Sequence, residues 1–259
     1  MEEFQQLLKK YGSYALCGWA AANGRLDVLQ WARKNNCPWD ASICEYAARG
    51  GHIHILKWAR EHGCPWDTYT CAHAAWGGHL NILQWAREQG CPWDEMTCSL
   101  AARGGHLNIL QWAREHGCPW DRWTCTFAAR NGHLHILQWL REHGCPWDAR
   151  TCAYATEGGH LHILQWAHDH GCHWDESVCV YAAESGHLNV LQWALENNCP
   201  LYSYTRVGFR NRHFTAASKL LHRSIFYKQD NVEEWIKTVD QDCNTLTYND
   251  LSKLIKSFI

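Results

Sequence analysis

Cysteine and histidine recur through this chain at a fixed spacing, and both side chains are common ligands of zinc. Fourteen of the 15 cysteines fall into two columns whose members lie 27 residues apart. The first column is Cys17, Cys44, Cys71, Cys98, Cys125, Cys152 and Cys179, and the second is Cys37, Cys64, Cys91, Cys118, Cys145, Cys172 and Cys199. A histidine column keeps the same period and contains His52, His79, His106, His133, His160 and His187. Metal coordination is therefore the first chemistry to weigh.

The spacing of these columns favours a structural role over a metal site. Cys64 and Cys71 are seven residues apart across a loop, unlike the CxxC pair of common zinc sites. At the position of this column one period before His52, the residue is Arg25. Reduced thiols also pack well as small core side chains. We interpret all three columns as scaffold and predict no metal site and no cofactor. A zinc-binding repeat protein stays an alternative, because a histidine precedes the glycine and cysteine of four repeats: His62, His116, His143 and His170.

The 27-residue period indicates a solenoid, in which each unit covers the apolar face of its neighbour. In residues 67–93, Asp67 precedes TCAHAAW and is a good N-cap for a first helix that ends at Gly77 and Gly78. A second helix, HLNILQWARE, ends at Gly90. Asparagine replaces glycine in the columns of Gly77 and Gly90, which predicts a left-handed backbone at both positions. Each unit is therefore helix, tight turn, helix and short loop.

The shared residues TCxxAAxxGHLxILxWAxExGC resemble the ankyrin repeat, whose common period is about 33 residues. The residues missing here fall where ankyrin repeats have their β-hairpin. The resemblance is strongest to the short, tryptophan-rich repeats of proteins encoded by amoeba-infecting giant viruses. It implies a non-enzymatic scaffold that binds another protein, such as a host protein, through a concave groove lined by the first helices.

We predict an all-α helix-turn-helix solenoid, ankyrin-like but without the β-hairpin, with helical caps. Residues 1–12 form an N-terminal capping helix, and residues 202–259 form a degenerate repeat and a C-terminal helical cap. A ubiquitin-ligase adaptor that uses these last helices is a further alternative. The seven repeats between the caps are 13–39, 40–66, 67–93, 94–120, 121–147, 148–174 and 175–201.

Composition narrows the class of partner. A net charge of −2 and the lack of a basic run argue against binding to nucleic acid or to a membrane surface. No apolar run approaches the roughly 18 residues of a membrane span, and the sequence starts without a signal peptide. We expect a monomer in the cytoplasm of a cell, which is the host cell if the protein is viral. No catalytic constellation and no phosphate-binding glycine loop occurs, so we expect no enzyme.

The partner-binding residues are expected where the repeats differ from one another. Counted from the capping aspartate, positions +2, +5 and +9 vary most and share one face of the first helix. Aromatic and arginine side chains, which are enriched in binding hot spots, cluster there in the central repeats. The predicted partner-binding residues are Tyr69, Trp76, Met96, Arg103, Trp123 and Arg130. The +6 column is interpreted as core, as are 13 of the 17 tryptophans, which lie in two repeated columns.

Overall fold

The computed structural model of the chain describes residues 2–200, in which helices are joined by short turns and no strand occurs. The predicted all-α repeat fold is confirmed. The predicted C-terminal cap lies outside the described residues. The helices are α1 (Glu2–Ala22), α2 (Leu26–Lys34), α3 (Ser42–Arg49), α4 (Ile53–Glu61), α5 (Thr68–Trp76), α6 (Leu80–Glu88), α7 (Glu95–Gly104), α8 (Leu107–Glu115), α9 (Arg122–Arg130), α10 (Leu134–Glu142), α11 (Ala149–Glu157), α12 (Leu161–Asp169), α13 (Ser177–Glu184) and α14 (Leu188–Glu196).

Each odd-numbered helix forms a pair with the even-numbered helix that follows it, and the pairs recur with the period of the sequence repeat. We call α3, α5, α7, α9, α11 and α13 the inner helices and α2, α4, α6, α8, α10, α12 and α14 the outer helices. Helix α1 packs on α2 and takes the place of the inner helix in the first pair. Its backbone leaves the helical region at Gly12 (φ 79°). The break falls at the end of the predicted capping segment. The boundaries of the seven repeats stay a prediction.

Aspartate side chains start the central inner helices, as predicted. The carboxylate of Asp67 accepts a hydrogen bond from the backbone amide of Tyr69 at 3.0 Å. The equivalent carboxylates of Asp94 and Asp121 accept from the amides of Met96 and Trp123 at 3.0 and 2.9 Å. Each cap satisfies an amide that the helix cannot bond itself, which stabilises a short helix by about 1 kcal/mol.

The turn between the two helices differs in one respect from the prediction. Gly77 has a right-handed φ of −74°, and the left-handed residue is Gly78, with φ 82°. Asparagine recurs in the Gly77 column for another reason: the Asn131 side chain donates to the carbonyl of Phe127 at 2.9 Å and so caps the helix. At the end of the outer helix the prediction is confirmed, because Gly90 has a φ of 79°.

Each histidine of the repeated column joins its repeat to the preceding one. The Nε2 of His106 donates to the backbone oxygen of Trp76 at 3.0 Å, and that of His79 donates to the oxygen of Arg49 at 3.1 Å. The ring also covers the left-handed glycine, since a Cβ on Gly78 would lie 2.7 Å from Cε1 of His106. These contacts confirm the structural interpretation of the column. Arg25, in the same column of the first repeat, bonds to the carboxylates of Glu3 and Asp27 instead.

Small side chains fill the space between inner helices, and large ones fill the space between outer helices. The paired alanines of the inner helices, such as Ala74 and Ala75, are fully buried. The tryptophans of both repeated columns are half-buried and pack against this core, so they are packing residues at its edge. Trp85, for example, contacts Trp66 of the preceding repeat edge to face at 5.9 Å. Neighbouring inner helices are in closer backbone contact than neighbouring outer helices, so the stack curves with the inner helices on its concave side.

Within residues 2–200, no helix combines the length and the apolar character needed to cross a membrane.

Candidate partner-binding surface

The inner helices present a partly exposed face on the concave side, made of positions +2, +6 and +9. At 100° per residue these positions lie within about 60° of one another on a helix. At +2, Tyr69 keeps 49% of its surface exposed, and at +6, Tyr46 keeps 41%. Position +9 brings the exposed side chains of Arg49, Arg103 and Arg130. We call this face the groove.

Two columns of the inner helices lie on the other side of this groove from the one expected from the sequence. Position +5 was expected in it, yet Ala72, Ser99 and Thr126 are at most 1% exposed. Position +5 points at the next inner helix, as the hydrogen bond between the hydroxyls of Ser99 and Thr124 shows at 3.2 Å. Position +6 was expected in the core and instead lines the groove. Leu100, at 5% exposure, is the one buried side chain of that column among the described residues.

Trp76 lies at the centre of the groove and has an arginine from each neighbouring repeat over its ring. The guanidinium carbon of Arg49 is 3.6 Å from the ring centroid and that of Arg103 is 4.5 Å away. Stacking of this kind is worth about 0.5–1 kcal/mol per pair at an exposed site. Tyr69 joins the cluster through the ring of His73, which lies 6.3 Å from it and 5.9 Å from Trp76.

The other predicted residues surround a second aromatic group two repeats further on. Trp123 packs edge to face on Tyr154, with 6.1 Å between centroids, and lies 5.8 Å from Phe127. Arg130 lies 5.2 Å over Tyr154 and forms an ion pair with Glu157 at 2.6 Å. Met96 is half-buried and lies between the two groups along the chain.

Several groove residues were missed because the +6 column was interpreted as core. Tyr46, Phe127 and Tyr154 all belong to it, and its changing side chains were the signal that it is not a fixed packing position. Arg49 was recognised as variable but was not among the six predicted residues, since nothing in the sequence shows that it stacks on Trp76.

Charged side chains of both signs lie along the groove. Burial lowers the pKa of His73, and Arg49 acts in the same direction, so His73 is neutral at pH 7 and its 3.8 Å contact with Glu45 is no ion pair there. Burial raises the pKa of Tyr181, and Tyr154, Glu157 and Glu184 raise it further. The +9 column holds arginine in the central repeats, at Arg49, Arg103 and Arg130, and glutamate in the two repeats that follow, at Glu157 and Glu184.

The cysteines form no metal site in the part of the chain that the structure describes. No group of three or more histidine, cysteine, aspartate or glutamate side chains is placed to hold a metal ion in residues 2–200. The thiol of Cys91 instead donates to the backbone oxygen of Asp67 at 3.4 Å. The hydrogen bond to Cys91, together with burial, raises the pKa of the Cys71 thiol. These contacts do not favour the zinc-binding alternative.

Comparison with known proteins agrees with this architecture. Residues 98–141 match the family described as "Ankyrin repeats (many copies)". The structure resembles the crystal structure of the human ASB11 ankyrin repeat domain, with a TM-score of 0.50 and 14% sequence identity, over 68% of this chain and 96% of that chain. No curated protein matches the chain in sequence. The described part of the chain therefore has the fold of an ankyrin-repeat domain, and its central repeats match the ankyrin-repeat family.

Proposed function

We propose that this protein is a non-enzymatic interaction scaffold that binds another protein along the groove. One observation carries the proposal. Tyr46 and Tyr69 are large apolar side chains that stay exposed, and both lie in the groove on neighbouring inner helices. Apolar surface that is exposed on one face of a protein is a feature of interaction sites.

The groove also has the composition of a binding hot spot. Tyrosine, tryptophan and arginine dominate hot spots because they bury much surface for few rotatable bonds. The aromatic surface comes from Tyr69, Trp76 and Trp123, and Arg103 adds a positive charge beside it. The Arg49 and Trp76 backbone oxygens are each fixed by a histidine of the next repeat. The groove therefore has less backbone to order on binding than a mobile loop would have.

The source of the partner is a further part of the proposal. The resemblance to giant-virus repeats supports a partner from an infected host cell, met in the cytoplasm. The fold shared with an ankyrin-repeat domain supports the groove as the binding surface. A ubiquitin-ligase adaptor role would rest on helices outside the described residues, so no contact described above favours it.

Affinity capture from a cell lysate tests this function, with bound proteins cross-linked and their contact sites mapped by mass spectrometry. The groove variant is Tyr69→Ala, Trp76→Ala, Trp123→Ala. The matched control is Asn81→Ala, Asn108→Ala, His135→Ala, which truncates three exposed side chains of the outer helices. Circular dichroism confirms that both variants remain folded. We expect a partner that cross-links to inner helices, stays with the control and is lost from the groove variant.

Two results would contradict the proposal. One is a partner that binds the groove variant and the wild type equally. The other is a set of cross-links confined to the outer helices, which would move the binding surface to the convex side.

A further inference from the structure

The arginines of the groove differ in one respect that bears on the chemistry of the partner. Arg130 already has a carboxylate partner, Glu157, at 2.6 Å. Arg49 and Arg103 stack on Trp76, and neither has a carboxylate within ion-pair distance in residues 2–200. Two guanidinium groups thus lie within 4.5 Å of one ring centroid without an anion among the described residues.

Stacking prepares these guanidinium groups to bind an anion. Contact with an aromatic ring uses the flat face of a guanidinium and leaves its N–H edges available for hydrogen bonds. Those edges match the two oxygens of a carboxylate, and such bidentate bonds are among the strongest polar contacts in proteins. The backbone of Arg103 is fixed as well, because its carbonyl accepts from His133 at 3.2 Å.

The cationic part of the groove is short, which limits the kind of anion it fits. Arg49 and Arg103 belong to repeats on either side of Trp76, but both guanidinium carbons lie close to its ring centroid, so they are at most about 8 Å apart. About three residues of extended chain cover that length. Further along the +9 column Glu157 neutralises Arg130 and Glu184 is acidic, so the groove offers no long run of positive charge to a polyanion. A short acidic segment of a protein fits this pattern better than a nucleic acid does.

We propose that Arg49 and Arg103 form a carboxylate-binding site in which an aspartate or glutamate side chain of a partner protein bonds to both guanidinium groups beside Trp76. An apolar side chain next to that acidic residue packs on Tyr69, which is half exposed at 49%. This inference rests on the proposed function, since it names the chemistry that the groove recognises.

A random-peptide display library, selected on the immobilised full-length protein, tests the inference without knowledge of the natural partner. We expect wild-type protein to select peptides enriched in aspartate or glutamate beside an aromatic or aliphatic residue. The variant Arg49→Gln, Arg103→Gln should lose that enrichment and bind the best wild-type peptide about tenfold more weakly in fluorescence anisotropy. Arg49→Lys, Arg103→Lys keeps the charge but not the planar fork, and should fall between the two.

A matched control separates a specific site from general attraction. Lys34→Gln, Lys57→Gln removes the same charge from exposed positions on the outer helices and should select and bind the same peptides as wild type. Equal loss in this control would overturn the proposal, and so would unchanged acidic enrichment with the glutamine variant of the two arginines. Tight binding of a labelled oligouridylate that depends on Arg49 and Arg103 would overturn the choice of a protein anion.

The two proposals can fail separately. Peptides without acidic enrichment that still require Tyr69 and Trp123 would refute the carboxylate site and keep the groove as a protein-binding surface. The reverse outcome is that acidic peptides are selected through the two arginines while lysate partners cross-link only to the outer helices. It would keep the carboxylate site and refute the groove as the surface that binds those partners.

Discussion

Three threonine hydroxyls are buried in the solenoid without a hydrogen-bond partner, and their removal should stabilise the protein. The Oγ1 atoms of Thr70, Thr97 and Thr151 are buried and unbonded. They occupy position +3 of the inner helices, where two other repeats have Ile43 and Val178, both buried. Position +3 therefore accepts a purely aliphatic β-branched side chain without any change of fold.

The expected magnitude follows from the cost of an unsatisfied polar group. A buried hydroxyl without a partner costs about 1–3 kcal/mol, and threonine and valine have similar shape and helix propensity. We expect Thr97→Val to raise the free energy of unfolding by about 1 kcal/mol. The triple variant Thr70→Val, Thr97→Val, Thr151→Val should gain about 3 kcal/mol if the sites are independent.

Thr124 supplies the control, because it holds the same position but its hydroxyl bonds to that of Ser99 at 3.2 Å. Thr124→Val removes one partner and leaves the buried Ser99 hydroxyl unsatisfied, so it should destabilise the protein by about 1 kcal/mol. Urea denaturation followed by circular dichroism measures both variants. If Thr97→Val and Thr124→Val change stability in the same direction, the reasoning from hydrogen bonding is wrong.

Further predictions concern the glycines, histidines and thiols. Gly78→Ala should destabilise the fold more than Gly90→Ala in the same denaturation assay. Both glycines have a left-handed backbone, which costs an alanine about 1–2 kcal/mol. At Gly78 a Cβ would in addition collide with an imidazole, whereas at Gly90 it would meet no neighbour. Burial lowers the pKa of His133 and His160 below 6.5, so the unfolded chain binds protons more readily than the folded one as the pH falls. The melting temperature should therefore decrease as the pH is lowered through about 6.5. A melting temperature that increases over this range would contradict the argument. Hydrogen bonding and burial raise the pKa of Cys152, so a thiol reagent should label it far more slowly in native protein than in urea, and equal rates would refute its burial.

Local features of the fold could be predicted from the sequence. Asp67 caps a helix through contacts two residues away, and Gly90 adopts a left-handed backbone that only glycine and asparagine tolerate well. The repeat period predicts helix pairs because each pair must bury its apolar face on the next. These conclusions depend on neighbours in the sequence or on the repeat itself.

The face that points into the groove could not be predicted, because it depends on where the neighbouring helix lies. Positions +5 and +6 lie on opposite sides of the +2 and +9 direction, about 100° apart on the helix. Only packing against the next inner helix decides that Ala72 is buried while Tyr46 is exposed. The stacking of Arg49 and Arg103 on Trp76 likewise needs the distance between repeats. The sequence places the three residues in one column but does not give their contacts.

The contact between a histidine and the glycine of the preceding repeat also makes the repeats interchangeable. Gly51, Gly78 and Gly105 each receive the ring of a histidine from the following repeat, and the contact has the same form at each position. Removal or duplication of one whole repeat within the described part of the chain would therefore leave every glycine opposite a histidine. Such a chain can gain or lose whole units by recombination between its own repeats. The length and the side chains of its groove then change, while the histidine–glycine contacts between repeats stay the same.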